Sequence, residues 1–188
     1  MKDYKNILVI KMSSLGDIIH ALPSLYALRE LFPDACITWA IHESFAKILP
    51  GKPWIDNVYV IDRKRIKKIN YLLQVRKDLH KKQFDLVIDL QMIAKSGLIS
   101  FLTGCHERIG YNDARECSGL FSRAISDKYK NGHIIEQLLD VIRYLGWQGS
   151  GIHFPLHDYK NELSVVRKKL SEAGVIGKYV LLVPGTRG

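Results

Sequence analysis

Short apolar runs alternate along the chain with stretches in which apolar residues recur every three or four positions. Asn6 to Ile10 is a strand-sized run rich in β-branched residues, and the stretch from Ile18 to Leu31 places Ile18, Leu22, Leu25 and Leu28 at helical spacing. The cadence then repeats. Ala35 to Ile41 reads as a second strand leading to a short apolar helix that ends at Pro50, and Asn57 to Ile61 reads as a third, followed by a helix from about Arg65 to Lys82. Phe84 to Leu90 is a fourth strand, and its near-continuous apolar character predicts burial on both faces of a parallel sheet. A helix over Ile93 to Leu102 follows, ended by Thr103-Gly104. His106 to Gly110 reads as a short fifth strand, residues 119–130 show only weak periodicity, and His133 to Leu145 is a clear helix closed by Gly146.

Strands alternating with helices in this way predict an α/β fold: a Rossmann-like parallel sheet with helices on both faces, over residues 1 to about 150. Residues 151–177 read as a linker and a charged amphipathic helix, Asp158 to Ala173, with Leu163, Val166 and Leu170 on one side. Tyr179 to Val183 then reads as a strand aimed at the small-residue turn Pro184-Gly185-Thr186-Arg187-Gly188, which is how a second βα domain begins. A single such edge cannot enclose a core, so residues 178–188 are expected to belong to a truncated domain, or to dock on the first domain or on another copy.

Charge changes this picture because it is localised. Between Arg63 and Lys82 nine Lys or Arg stand against one acid, Asp78, which accounts for +8 of the formal net charge of +9. Such a block suits a polyanion, whether nucleic acid, an acidic membrane face or a phosphorylated substrate; it also suits a solvated helix face over the apolar stripe Ile66, Ile69, Leu72, Leu73 and Leu79. Cysteine excludes more than it suggests. Cys36, Cys105 and Cys117 are odd in number and lack paired ligand spacing, which argues against a disulfide framework and against zinc and leaves them as packing residues. The opening Met-Lys-Asp-Tyr-Lys-Asn has no apolar signal core, so a cytoplasmic location is expected.

The candidate chemistry sits where the first strand becomes the first helix, at Lys11-Met12-Ser13-Ser14-Leu15-Gly16-Asp17. In open parallel sheets ligands bind at that carboxyl edge, where strand ends and free helix N–H groups converge. Ser13, Ser14 and Gly16 would suit an anion, but Asp17 would repel a phosphate on the same helix end and favours a hydrogen-bond donor such as a sugar hydroxyl. Asp17 equally suits a plain capping role. A dinucleotide site would need more glycines than Gly16 alone, and a nucleic-acid site would need stacking aromatics near the basic block; neither alternative is excluded by charge.

Lys-x-Ser-Ser-Leu-Gly-Asp followed by Ile18-Ile19-His20-Ala21-Leu22-Pro23 resembles the amino-terminal signature of the lipopolysaccharide heptosyltransferases, most closely type I. Val87-Ile88-Asp89-Leu90-Gln91 with Lys95-Ser96, then Ala114-Arg115-Glu116, His133, Leu145-Gly146 and Gly185-Thr186-Arg187 resemble further family patterns, and Met92 departs from them by standing where glycine is usual. The resemblance implies a GT-B glycosyltransferase whose amino-terminal domain grips the acceptor while the carboxy-terminal domain holds the nucleotide sugar. It implies inverting transfer of heptose from ADP-heptose to Kdo of lipid A, peripheral to the inner membrane, without metal or other cofactor and without nucleic acid. Asp17 becomes the implied catalytic base.

An acidic acceptor calls for forked and flexible cations. Arg115 is the leading candidate for a carboxylate clamp, followed by Arg63, Lys64 and Arg65; Lys95, in the first turn of a helix where a cation is mildly unfavourable, needs an anionic partner to justify it. His133 ranks behind them, and Gly185 and Thr186 would touch the donor diphosphate. Without the rest of a donor domain the chain is expected to bind acceptor weakly and to transfer nothing.

Overall fold

The computed structural model describes residues 2–111, 118–125, 128, 131–157 and 159–182. Residues 1–157 and 158–188 form two compact units.

In the first unit six parallel strands form one sheet in the order β3-β2-β1-β4-β5-β6. They are β1 (Asn6–Ile10), β2 (Cys36–His42), β3 (Asn57–Ile61), β4 (Leu86–Asp89), β5 (Arg108–Gly110) and β6 (Arg123–Ala124). The helices are α1 (Leu15–Leu31), α2 (Ile69–His80), α3 (Ala94–Leu102) and α4 (Ile134–Tyr144), with a 3-10 turn over Glu43–Ile48. The Rossmann-like expectation holds.

Alternate residues of β1 feed two separate cores. Ile7 and Val9 pack with Ile18, Leu22, Leu25, Leu138 and Ile142 under α1 and α4. Leu8 and Ile10 pack with Tyr71, Val75, Leu79 and Ile99 under α2 and α3. A strand buried on both faces has no polar positions to show, which is why β1 and β4 read as continuous apolar runs.

Two features of the first unit differ from the sequence reading. The basic stretch is not all helix: α2 begins at Ile69, and Arg63 to Lys67 form a turn. Asp62 causes this. Its Oδ1 accepts the N–H groups of Lys64 at 2.8 Å and Arg65 at 3.2 Å, drawing the backbone into an Asx turn before the helix can start. The weakly periodic stretch also supplies β6, which uses the open edge of β5. Of the cysteines, Cys105 is buried and Cys36 is exposed at the start of β2; Cys117 lies outside the described residues.

In the second unit α5 spans Lys160–Glu172, and residues 178–182 have no regular structure. No helix among the described residues is long and apolar enough to cross a membrane.

Candidate functional site

Strand order reverses at β1. The chain leaves β1 toward β2 and β3 through α1, then returns to the other side of β1 as β4 and leaves again through α3. Because α1 and α3 pack on opposite faces, their amino termini part above the carboxyl ends of β1 and β4, which makes this junction the topological switch point where open α/β sheets bind ligands.

The two strand–helix turns are tied together from below. Gln91, after β4, accepts the N–H groups of Met12 at 3.0 Å and Ser13 at 3.2 Å through its Oε1. Lys11 is 4% exposed and donates from Nζ to the Leu90 carbonyl at 2.8 Å. Asp89, fully buried, accepts from the N–H groups of Gln91 and Met92 on Oδ1 and from the Ser96 hydroxyl on Oδ2, all at 2.9–3.0 Å. Burial pushes its carboxyl up to about 6, against the opposing pull of those three donors and of the Lys11 charge. At neutral pH Asp89 is therefore a buried carboxylate beside a buried ammonium, and together they fix both turns.

Asp17 stands at the surface of this foundation. The Ser14 N–H and the Ser14 hydroxyl both donate to Asp17 Oδ2 at 2.9 Å, the N-cap arrangement a plain structural role predicts. That role uses only one oxygen. No described residue donates to Oδ1, so the cap orients the carboxylate and leaves its other oxygen open. Desolvation raises the pKa of Asp17, but the two Ser14 donors, Lys11 and His20 outweigh it and hold the pKa below its ordinary value. It is ionised at any physiological pH. Gly16, exposed beside it, faces open space: a Cβ there would meet nothing within 4 Å.

His20 lies one turn beyond Asp17 on α1, and packing of α1 against α4 brings its ring to 5.6 Å from that of His133, edge to face. His133 is the N-cap of α4; its Nδ1 accepts the Ile135 N–H at 3.3 Å, which leaves the proton on Nε2. His133 is thus brought to the Asp17 side of the crevice, and His20 joins it. The sequence reading passed over His20, although its i+3 spacing from Asp17 was visible.

Lys95 is exposed in the first turn of α3 with no partner among the described residues. Arg63, Lys64 and Arg65 reach the same sheet edge in the turn after β3, two strands from β1 or about 10 Å at ordinary strand spacing; Arg65 rests over the Tyr71 ring at 4.8 Å. Arg115, Gly185 and Thr186 lie outside the described residues. Met92 explains the glycine usual at its position: φ there is +48°, a conformation glycine adopts freely and other residues hold at a cost of about 1 kcal/mol. The methionine side chain does not obstruct the crevice. It is fully buried, with its sulfur filling the space over Gly110.

The site thus holds a carboxylate with one oxygen that no described residue occupies, and exposed cations at Lys95 and, two strands away, at Arg63, Lys64 and Arg65 of the same sheet edge. Comparison with known proteins gives the family. The sequence model of glycosyltransferase family 9 (heptosyltransferase) matches residues 72–188. The chain belongs to that family. It is 26% identical to lipopolysaccharide heptosyltransferase 1 of Pseudomonas aeruginosa, over 96% of this chain and 52% of that one, and 35% identical to the Campylobacter coli protein of the same name, over 50% of this chain and 27% of that one. Among solved structures, a family 9 glycosyltransferase from Veillonella parvula superposes with a TM-score of 0.76 at 25% identity, covering 93% of this chain and 51% of that one. The Escherichia coli heptosyltransferase WaaC with ADP-2-deoxy-2-fluoro heptose superposes at 0.67 and 27% identity, over 82% of this chain and 52% of that one. The chain spans about half the length of these relatives, or less. The expected fold, the Rossmann-like sheet of a GT-B glycosyltransferase, is the one these family 9 neighbours share.

Proposed function

We propose that this chain forms the acceptor side of an inverting heptosyltransferase of lipopolysaccharide core synthesis, working at the cytoplasmic face of the inner membrane. The acceptor is Kdo on lipid A and the donor is ADP-heptose. The observation that carries the proposal is the divided carboxylate of Asp17: Oδ2 held by Ser14, Oδ1 open at the switch point. The relative solved with an ADP-heptose analogue supports the donor class.

In direct displacement the acceptor hydroxyl oxygen forms a bond to the anomeric carbon as the bond from that carbon to the diphosphate oxygen breaks, its electron pair leaving on ADP. The hydroxyl proton passes to Asp17 Oδ1. A carboxylate is basic enough because the hydroxyl becomes acidic only as the new bond forms, and a depressed pKa ensures that the base is unprotonated when substrate arrives. Lys95 meets the acceptor carboxylate or a lipid A phosphate, with Arg63, Lys64 and Arg65 along the same rim.

In a protein of the relatives' full length carrying this segment, Asp17→Asn is expected to lower turnover by about 100-fold or more, with donor affinity unchanged. Asparagine keeps an oxygen for the Ser14 donors, so the α1 cap survives and only the base is lost. Unchanged turnover refutes the role of Asp17. For the acceptor, Kdo-lipid A micelles titrated into this chain should outcompete an oligonucleotide of equal charge, and the reverse ranking refutes the proposed acceptor.

A further inference from the structure

We propose that the solvent face of α2, with Lys67 and Lys68 immediately before it, is a docking surface for an anionic lipid bilayer. The face is defined by exposure. At 100° per residue Ile69, Leu73, Arg76 and Lys77 fall within about 100° of one another, all exposed, while Tyr71, Val75 and Leu79 are buried against the sheet on the opposite side. Ile69 is 67% exposed and Leu73 58%, neighbouring apolar side chains one helical turn apart that no part of the first unit's core uses.

Every charge around them has the same sign. Lys67 and Lys68 are exposed just before Ile69, and Arg76 and Lys77 follow Leu73. The one acid of the segment, Asp78, is turned away: its Oδ1 accepts from Gln74 at 2.7 Å and its Oδ2 from the Tyr59 hydroxyl at 3.5 Å, on the side facing β3. A solvated helix face would be expected to carry charges of both signs and no pair of bare aliphatic side chains. Cations bracketing exposed aliphatics are what an interfacial helix presents, the apolar tips entering the headgroup boundary while the cations meet lipid phosphates. Nucleic acid would use the cations but gains nothing from Ile69 and Leu73, which cannot stack on bases. The two apolar residues are what favour a bilayer.

The surface is distinct from the acceptor crevice, and its test needs no acceptor. Sedimentation with vesicles of neutral lipid, and of neutral lipid mixed with phosphatidylglycerol, is expected to show the chain bound only to the anionic ones and released by salt. Arg76→Ala with Lys77→Ala should lower the partition coefficient roughly 10-fold or more, at about one order of magnitude per two cations. Ile69→Ser with Leu73→Ser should lower it several-fold at constant charge, without changing far-UV circular dichroism since both side chains are exposed. Binding that ignores the serine variant, or an oligonucleotide that displaces the vesicles and binds the serine variant equally well, overturns the proposal, as does failure to bind anionic vesicles at low salt. None of these results bears on Asp17 or on acceptor specificity.

Discussion

The two edges of the sheet use the same residue types to opposite ends. At the amino-terminal edge Arg29, at the end of α1, donates from its two terminal nitrogens to the carbonyls of Pro33, Ala35 and Trp54 and to Asp56 Oδ2, while Asp56 also accepts the Ile37 N–H. A cavity of about 680 Å³ opens near that edge, lined in part by Lys2, Asp85, Glu107 and Arg108. Its charges are already spent: Lys2 pairs with Glu107, Asp85 takes the N–H groups of Lys5 and Asn6, and Arg108 Nε donates to the Phe121 carbonyl at 2.6 Å. At the carboxyl-terminal edge the pairing among the described residues is incomplete. Asp17 keeps an oxygen, Lys95 keeps its ammonium, and beneath them Asp89 and Lys11 absorb the structural demand. That cavity lies at the edge where the described charges are paired; unfinished hydrogen bonding marks the other edge as the candidate site.

The first way to break that contrast is Arg29→Ala. It strips hydrogen bonds from the carbonyls of Phe32, Pro33, Ala35 and Trp54 and leaves Asp56 with only its backbone donor, in a region where the Arg29 side chain is 12% exposed, and should cost about 2–4 kcal/mol in chemical unfolding. Acceptor affinity, measured where the variant is still folded, should not change. A loss of affinity without a loss of stability would mean that the closed edge is also functional.

Lys95→Ala reverses the expectation. An exposed side chain without a described partner contributes little to stability, so unfolding should shift by less than about 0.5 kcal/mol. Binding of the acidic acceptor should weaken about 10-fold, the value of one charge-assisted contact, and salt should have a smaller effect on what remains. A destabilised variant with normal affinity would place Lys95 among the structural cations.

Much of this was visible in the chain. The run at Asn6–Ile10 reads as a strand, that at Phe84–Leu90 as a strand buried on both faces, and Asp17 as the start of a helix at the carboxyl edge, because period and capping are local properties. What remained hidden depends on distant partners. That Lys11 and Asp89 share one buried space follows only once β4 lies beside β1, nearly eighty residues apart, and the pairing of His20 with His133 needs α4 to pack on α1. β6, two residues long, has no period at all and exists because β5 offers it a free edge. The start of α2 was obscured by composition: five cations run into the helix, and it is the side chain of Asp62 that separates turn from helix.

The smallest effect tests the foundation of the site. A carboxyl raised by burial to about 6 binds its proton more tightly in the folded chain than in the unfolded one, where it titrates near 3.8. Between those values the folded state carries the extra proton, so the contribution of Asp89 to stability grows as pH falls through 6 and is smallest at neutral pH. Asp89→Asn removes this titration while keeping an acceptor for the Gln91 and Met92 N–H groups. The unfolding free energy of the parent minus that of the variant should therefore increase by about 1 kcal/mol between pH 7 and pH 5, the value of roughly one pH unit of differential protonation. Other titrating groups cancel in the difference. A difference that falls over the same interval would mean that Lys11 and the three donors outweigh burial, leaving Asp89 as firmly ionised as Asp17. The charged pair below the crevice would then be a fixed feature of the site, rather than one that loses its negative partner just below neutral pH.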